Sequence, residues 1–290
     1  MNAQFMHQAS LTHAFLQPYK VVVLAVLTVL LLGSCASVPV LQRAINQYDL
    51  MTATLRANQF QVVAVQRKDS LQGTQRLRIY LEGDGRPWQG GQPADDPSGT
   101  HLLALQMMLQ DPVRSVYLTR PCYHSLYPGR QAIGPCEASL WTSGRYSPTI
   151  VAAMVDAVEA LVAERNVEEL TLVGYSGGGT LALLIANQLA FPPARVVTVA
   201  AVLDTTRWTE FHKLLPLTQS INPIDALPSQ TVFQQVHLFG GKDAVVPPQL
   251  NQHYADRHTN AQYFSFDDFD HQCCWAQRWP NVLETISELN

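Results

Sequence analysis

Apolar and polar residues alternate along most of this chain, with the period of either a strand or a helix. In "QRLRIYLEG", Leu77, Ile79 and Leu81 occupy every second position, which predicts a β-strand. "SPTIVAAMVDAVEALVAER" predicts a long helix, with Ser147 as its N-cap and Pro148 as its first residue. Strand and helix patterns alternate in this way up to a closing helix in "WPNVLETISEL". The alternation predicts an α/β fold, with a doubly wound, mainly parallel sheet and helices on both faces.

The first part of the chain has the pattern of an export signal. Lys20 precedes the apolar run "VVVLAVLTVLLLG", which has the length of a signal-peptide core and is short for a membrane span. The run ends in "LGSC", whose Cys35 is the last residue. This ending resembles the bacterial lipobox, in which the cysteine becomes the lipid-bearing first residue of the mature chain. A plain secretory signal or an N-terminal anchor helix is the alternative.

These patterns divide the chain into three parts. Residues 1–34 are the expected lipoprotein signal peptide, residues 35–55 an N-terminal tether, and residues 56–290 the folded α/β domain. A lipid on Cys35 would tether the protein to a membrane. We therefore expect it in the bacterial cell envelope, at the outer membrane and facing the periplasm.

Composition limits the classes of partner. The 290 residues are 47% hydrophobic and 14% charged, which is typical of a globular protein with a large core. The net charge is −4, and the sequence has no run of Lys and Arg. Nucleic acid is therefore not an expected partner.

Four cysteines follow Cys35, an even number that agrees with export. A Cys122–Cys136 disulfide is the favoured pairing, since it closes a loop of about 15 residues and contributes roughly 3 kcal/mol. Cys273 and Cys274 are adjacent, and across a trans peptide their Cα atoms lie about 3.8 Å apart, below the usual disulfide range. A bond between them would be strained, so cross-pairing with the other two cysteines, or free thiols, stays open as well. No CxxC or HExxH spacing indicates a metal site.

The stretch "TLVGYSGGGTLALLIANQLAFPP" places a serine between a predicted strand and a predicted helix. A phosphate-binding Walker loop needs a Gly-Lys-Ser/Thr ending, which this stretch lacks. The dinucleotide pattern G-x-G-x-x-G/A is met loosely, but no acidic residue follows at the usual distance of about 20 positions. G-x-S-x-G is met by Gly174, Ser176 and Gly178. In that pattern the serine lies on a sharp strand-to-helix turn, as a nucleophile does.

Polar residues suited to a serine nucleophile follow two later predicted strands. Asp243 comes after "LFGGK" and His271 after "FDDFD". An imidazole can take the proton of the serine hydroxyl during attack, and a carboxylate fixes its tautomer and stabilises its charged form. Because ligands bind beyond the carboxyl ends of parallel strands, these side chains are expected at one edge of the sheet. Asp204, which also follows a strand, is the alternative acid.

A tetrahedral oxyanion needs two hydrogen-bond donors. The backbone N–H of Gly177, at the start of the helix, is one candidate. The other is expected in the loop after an earlier strand, where "LEGDGRPW" has glycines that permit close approach of the backbone. The sequence favours the N–H of Asp84 or Gly85.

At this point the sequence resembles the α/β-hydrolase superfamily, and more narrowly bacterial lipoproteins assigned to it. The resemblance runs from about residue 75 to the C-terminus. Its carriers are "YLEGDG", "RPC", "WTSGRYS", "LVGYSGGG", "INPID", "GGKDAVVPP" and the histidine before "CCW". It implies a Ser176, Asp243 and His271 triad, a small or absent cap, and an acyl hydrolase.

The sequence thus predicts a membrane-tethered serine hydrolase that acts on an ester, thioester or other small acyl substrate and needs no cofactor. Two other classes stay open. A non-catalytic envelope lipoprotein could use the same scaffold for binding. A dinucleotide-binding oxidoreductase would leave Asp243 and His271 without a role.

Overall fold

The structure is a computed structural model that describes residues 38–68, 75–124 and 134–287. The predicted signal peptide and Cys35 lie outside these residues. One eight-stranded sheet organises the domain, in the spatial order β1-β2-β6-β3-β7-β8-β9-β10. Its strands are β1 Met51–Ala57, β2 Phe60–Gln66, β3 Arg76–Leu81, β6 Ser115–Leu118, β7 Glu169–Tyr175, β8 Arg195–Val199, β9 Gln234–Gly240 and β10 Gln262–Phe266. Two short strands, β4 Trp88–Gln89 and β5 Gln92–Pro93, form a separate hairpin.

Helices connect and cover these strands. They are α1 Val40–Gln47, α2 Leu103–Leu109, α3 Pro148–Arg165, α4 Gly177–Ala186, α5 Thr205–Phe211, α6 Pro223–Ala226, α7 Gln252–Arg257 and α8 Trp279–Ser287. The Ser147 side chain accepts a hydrogen bond from Ile150 N, so the predicted N-cap of α3 is present. Among the described residues, no helix is long and apolar enough to cross a bilayer.

The sheet is mainly parallel, as predicted. Strands β1, β6, β3, β7, β8, β9 and β10 run in one direction. Within this sheet only β2, which pairs antiparallel with both β1 and β6, runs in the other. The carboxyl ends of β3, β7, β9 and β10 therefore lie at the same edge. This arrangement brings the loops after these four strands together.

The domain begins earlier than residue 56, which differs from the predicted tether over 35–55. Strand β1 pairs along its whole length with β2, and α1 precedes it. Leu41 and Leu50 are buried in the same apolar layer as α2 and α8. The sequence prediction missed this segment because β1 is a half-exposed edge strand. Its buried and exposed positions give only a weak apolar pattern.

Both faces of the sheet are covered, so its central strands read as continuous apolar runs. In β7, Leu170 and Leu172 contact the layer that contains α3 and α4. Val173 and Tyr175 contact the opposite layer, with α2 and α8. Side chains alternate between faces along a strand, and burial on both faces favours apolar residues at every position.

The segment between β8 and β9 is the place where a cap domain would be inserted. It contains α5 and α6, which have 7 and 4 residues. This agrees with the expectation of a small or absent cap.

Candidate active site

Ser176 lies in a sharp turn between β7 and α4, with φ 50° and ψ −123°. A non-glycine residue rarely adopts such angles, and the surrounding contacts hold it there. Its backbone N–H donates to Val199 O at 2.8 Å, which ties the turn to the neighbouring strand β8. The turn sets this serine at the carboxyl edge of the sheet, as the G-x-S-x-G pattern predicts.

The glycines around Ser176 are needed because protein backbone lies directly against them. A Cβ on Gly174 would lie 2.2 Å from Gly178 O, and one on Gly178 would lie 2.2 Å from Leu81 O. The close approach in this turn is therefore between strand β3, strand β7 and helix α4. Gly177 and Gly179, the glycines that loosely fit the dinucleotide pattern, also lie against protein atoms, since Cβ atoms there would be 2.0 Å from Asp84 Oδ1 and 2.5 Å from Ala201 Cβ.

Three side chains distant in sequence meet at this turn. His271 Nε2 lies 3.2 Å from Ser176 Oγ, and His271 Nδ1 lies 2.8 Å from Asp243 Oδ2. With the proton on Nδ1, the imidazole donates to Asp243 and accepts from the Ser176 hydroxyl. The structure thus brings together the three residues that the sequence singled out, in the geometry that a serine nucleophile and its base require.

Asp243 is buried and fixed at both oxygens. Its Oδ1 accepts from Val245 N and Val246 N, each at 2.8 Å, while Oδ2 accepts from His271. The alternative acid, Asp204, instead caps α5 by accepting from Thr206 N and Arg207 N. The geometry therefore favours Asp243.

The turn that carries His271 is held by its acidic neighbour. Asp270 Oδ1 accepts from Gln272 N at 2.8 Å and Cys273 N at 2.7 Å, and Trp275 Nε1 donates to Asp270 O. These backbone hydrogen bonds lower the pKa of Asp270. This acid therefore acts as a turn former that orients the loop containing the imidazole.

The four cysteines after Cys35 form two pairs. Cys122 is bonded to Cys136, with Cα atoms 5.6 Å apart, which is the pairing that the sequence favoured. Cys273 is bonded to its neighbour Cys274. Of the alternatives that the sequence left open for these two, the structure has the bond between neighbours, and the peptide bond between them is cis and not trans.

The candidate oxyanion donors lie on two sides of Ser176. Gly177 is the first residue of α4, where a backbone N–H has no partner within the helix. Among the described residues, the N–H groups of Asp84 and Gly85 donate no hydrogen bond either. A Cβ on Gly83 would lie 3.2 Å from Ser176 Cβ, so the loop after β3 passes directly beside the serine.

The sequence prediction missed a cluster of ionic side chains behind this loop. Arg120 Nη1 donates to Asp84 Oδ1 at 2.6 Å. Arg145 Nη1 and Tyr146 OH donate to Oδ2 at 3.1 and 2.5 Å. We call Asp84, Arg120, Arg145 and Tyr146 the Asp84 cluster. Burial alone would raise the pKa of Asp84, but the two guanidinium groups hold it below its usual range.

The partners of Asp84 lie in sequence motifs that could not be connected with the site from the sequence alone. Arg120 lies in "RPC", and Arg145 and Tyr146 lie in "WTSGRYS", two of the motifs that carried the family resemblance. Neither motif has a spacing that assigns it to the serine. Only the fold shows that both contact the loop after β3.

A cavity of about 990 Å³ opens over Ser176 and His271. Its wall is largely apolar, and Trp88, Trp208, Leu214 and Val245 are among the side chains that form it. Trp88, Leu214 and Val245 are exposed. The cavity can therefore hold an apolar group next to the serine hydroxyl.

Glu82 is a buried carboxylate at the wall of this cavity. Burial raises its pKa to about 8, and hydrogen bonds from backbone N–H groups, first that of Gly83, oppose this only in part. Its Oε2 accepts from Ala104 N at 3.1 Å, near the start of α2. No group of three or more His, Cys, Asp or Glu side chains in the described part of the chain is arranged to hold a metal ion.

Comparisons with known proteins agree with this architecture. The sequence matches no protein-family model, and a comparison with curated proteins finds no match. The esterase Pf2001 of Pyrococcus furiosus is similar in structure over 84% of this chain and 91% of its own, with 12% identity and a TM-score of 0.57.

Two further solved structures are similar. XC6422 of Xanthomonas campestris, described as an α/β serine hydrolase without a lid, covers 82% of this chain and 92% of its own, with 13% identity and a TM-score of 0.51. The acylaminoacyl peptidase of Pyrococcus horikoshii covers 82% of this chain and 41% of its own, with 10% identity and a TM-score of 0.56. At these identities the likeness concerns the fold, and the chain has the α/β-hydrolase fold.

Proposed function

We propose that this protein is a serine hydrolase that cleaves an ester, a thioester or another acyl bond. The observation that carries the proposal is the chain of contacts from Ser176 Oγ through His271 to Asp243, at 3.2 and 2.8 Å. The turn conformation of Ser176 supports it independently, because strained backbone at a polar residue clusters at active sites. The structural neighbours include an esterase and a serine hydrolase, which is consistent with this chemistry.

In the proposed reaction, Ser176 Oγ attacks the acyl carbon while its proton passes to His271 Nε2. Asp243 stabilises the imidazolium that forms. The oxyanion accepts hydrogen bonds from Gly177 N–H and from the N–H of Asp84 or Gly85. Collapse of the intermediate breaks the bond to the leaving group, which takes the proton from His271. Water then repeats the sequence on the acyl-enzyme, with His271 again as the base, and releases the acid.

The substrate in this proposal has an apolar acyl group. The cavity beside Ser176 is walled mainly by apolar side chains and is large enough for a drug-sized ligand. Esters with short and medium apolar chains are the first substrates to assay. A series of p-nitrophenyl esters of increasing chain length would give the preferred length as the maximum of kcat/KM.

The decisive experiment is labelling with a fluorophosphonate probe, followed by peptide mapping. We expect the probe on Ser176 in the wild type and no label in Ser176→Ala. Ester turnover should fall by about 10⁴-fold or more in that variant, because triad residues act as a unit. Ser143→Ala is the matched control, since Ser143 lines the same cavity. Equal labelling of the wild type and Ser176→Ala would refute Ser176 as the nucleophile, whereas a wild type that takes no label would favour a non-catalytic lipoprotein.

We further propose that the protein is tethered to the outer membrane by a lipid on Cys35 and faces the periplasm. The lipobox-like "LGSC" after an apolar run supports this proposal. In a bacterial host, the wild type should fractionate with membranes and incorporate radioactive palmitate. Cys35→Ser should lose the label and leave the membrane fraction. An unchanged distribution would contradict the tether and leave the hydrolase proposal untouched.

A further inference from the structure

We propose that the Asp84 carboxylate is a positioning residue, which holds the loop after β3 against the start of α4 so that the oxyanion donors stay at a fixed place beside Ser176. The proposal rests on the acyl-hydrolase function above and adds to it a side chain that contacts neither the serine nor its base. Its effect is exerted through the backbone of Gly83, Gly85 and Gly177.

The carboxylate is held in one orientation. Arg120 occupies Oδ1, whereas Arg145 and Tyr146 occupy Oδ2, so a rotation would break at least one charge-assisted bond. The two cations are themselves fixed, because Arg120 Nη2 donates to Arg145 O and Arg145 Nε donates to Thr142 O, both at 2.8 Å. Arg120 also lies over the Tyr123 ring, 4.7 Å from its centroid.

The fixed carboxylate packs against the N-terminal residue of α4. A Cβ on Gly177 would lie 2.0 Å from Asp84 Oδ1 and 2.6 Å from Tyr146 OH. The Asp84 side chain therefore determines how close the loop after β3 can come to Gly177. These two segments carry the candidate oxyanion donors, so the distance between the donors depends on this contact.

The backbone of the loop is fixed on both sides of the carboxylate. Tyr123 OH donates to Asp84 O at 3.1 Å, and Arg86 N donates to Pro97 O at 2.7 Å. Gly85 has φ +63°, and a Cβ there would lie 2.1 Å from Pro97 O. The side chain of Asp84 thus completes a rigid support, and preorganised donors are those that lower a barrier most.

A change in the net charge of the Asp84 cluster can distinguish a positional role of Asp84 from an electrostatic one. Two guanidinium groups and one carboxylate leave a net charge of +1 close to the oxyanion site. Asp84→Asn would raise that charge to +2, and charge alone would then favour the oxyanion. The substitution would also turn an amide group toward donors that need acceptors, which distorts the loop. A positional role therefore predicts slower turnover in Asp84→Asn, and a purely electrostatic role does not.

The test compares Asp84→Asn with Asp111→Asn. Asp111 is a buried carboxylate that accepts from Arg78 Nη1 at 2.8 Å and Tyr80 OH at 2.5 Å, and it does not line the cavity. We expect Asp84→Asn to lower kcat for a short ester by about 10²-fold, as removal of an oxyanion donor does, with KM within about threefold of the wild type. Affinity for a boronic acid, which forms a tetrahedral adduct with Ser176, should fall by a similar factor. Asp111→Asn should keep kcat and boronate affinity within about twofold.

Assays are run below the unfolding temperature of each variant, measured by circular dichroism. Tyr146→Phe removes one hydrogen bond and keeps both ion pairs, so it tests the inference in a folded protein even if Asp84→Asn does not fold. We expect it to lower kcat by about fivefold to tenfold. Equal kcat in Asp84→Asn and the wild type would overturn the inference, as would equal losses in the two Asp→Asn variants. If the wild type itself lacks a probe-reactive Ser176, the proposed function fails and this inference with it.

Discussion

Asp84 and Asp111 are two carboxylates with similar partners in different places, and the side chain of Asp84 is 17% exposed whereas that of Asp111 is fully buried. Each accepts hydrogen bonds from an arginine and from a tyrosine hydroxyl. Asp84 follows β3, at the carboxyl edge of the sheet where Ser176 lies. Asp111 precedes β6, which is parallel to β3, and so lies toward the opposite edge.

The hydrogen-bond partners of a carboxylate therefore do not show by themselves whether it supports stability or the reaction. Asp111 connects α2 to the sheet, and its second partner Tyr80 accepts from Trp279 in α8 at 2.9 Å. That network joins elements of the core, and its loss should lower stability. Asp84 joins two segments that border the reacting groups, so its loss should also change the reaction. Position relative to the strand ends separates the two cases.

The largest effect should come from pushing the Asp84 cluster away from α4. Gly177→Ala places a methyl group where Asp84 Oδ1 and Tyr146 OH now lie, so the loop after β3 must shift. We expect kcat/KM to fall by about 10²-fold or more while the protein remains folded. Steady-state kinetics with a short ester will measure this loss.

Gly99→Ala is the matched control for that substitution. Gly99 lines the same cavity, and a Cβ there would make only ordinary contacts at 3.5 and 3.6 Å. We expect its activity within about twofold of the wild type. If both variants were equally impaired, crowding of the cavity in general, and not the contact with Asp84, would explain the loss.

An intermediate effect should come from Glu82, a buried carboxylate whose hydrogen bonds come from backbone N–H groups. Its pKa in the folded state is raised to about 8, above the ordinary value of 4.5, so the native state binds the proton more tightly than the unfolded chain. The stability that it contributes is therefore present at low pH and is lost as the pH rises toward 8.

Glu82→Gln tests this sign. The unfolding temperature of the wild type should fall between pH 5 and pH 9 more steeply than that of the variant, which carries no titrating group at this position. Thermal unfolding followed by circular dichroism at several pH values will show the difference. Parallel curves for the two proteins would mean that the carboxylate is already ionised in the native state at low pH.

The smallest effect should come from an ion pair at the surface. Arg278 Nη1 donates to Asp268 Oδ2 at 2.8 Å, and their side chains are 51% and 64% exposed. Asp268→Asn should change the free energy of unfolding by less than about 1 kcal/mol, and salt should remove that difference. Urea denaturation at low and high salt measures it. A loss as large as that in Asp111→Asn would show that burial does not separate these acids.

Much of the fold was predictable because its central strands are buried on both faces. The apolar runs and the long helix α3 predicted a mainly parallel sheet, and the structure confirms this. The edge segment with α1 and β1 was predicted wrongly as a tether. Half-exposed strands have few apolar positions, and their pairing partner, not their own sequence, makes them strands.

The local features of the candidate site can be recognised in the sequence alone. These features are short-range patterns: the G-x-S-x-G motif, and the positions of Asp243 and His271 after apolar runs. Their order along the chain, Ser then Asp then His, is that of an α/β-hydrolase triad. The acid that faces His271, the pairing of the cysteines, and the contacts of Arg120 and Arg145 with Asp84 depend on how the chain folds. The contact of His271 with Asp243 joins residues 28 positions apart, and those of Arg120 and Arg145 with Asp84 join residues 36 and 61 positions apart. Such distances carry no periodic signal in the chain, because the order of strands in the sheet sets them.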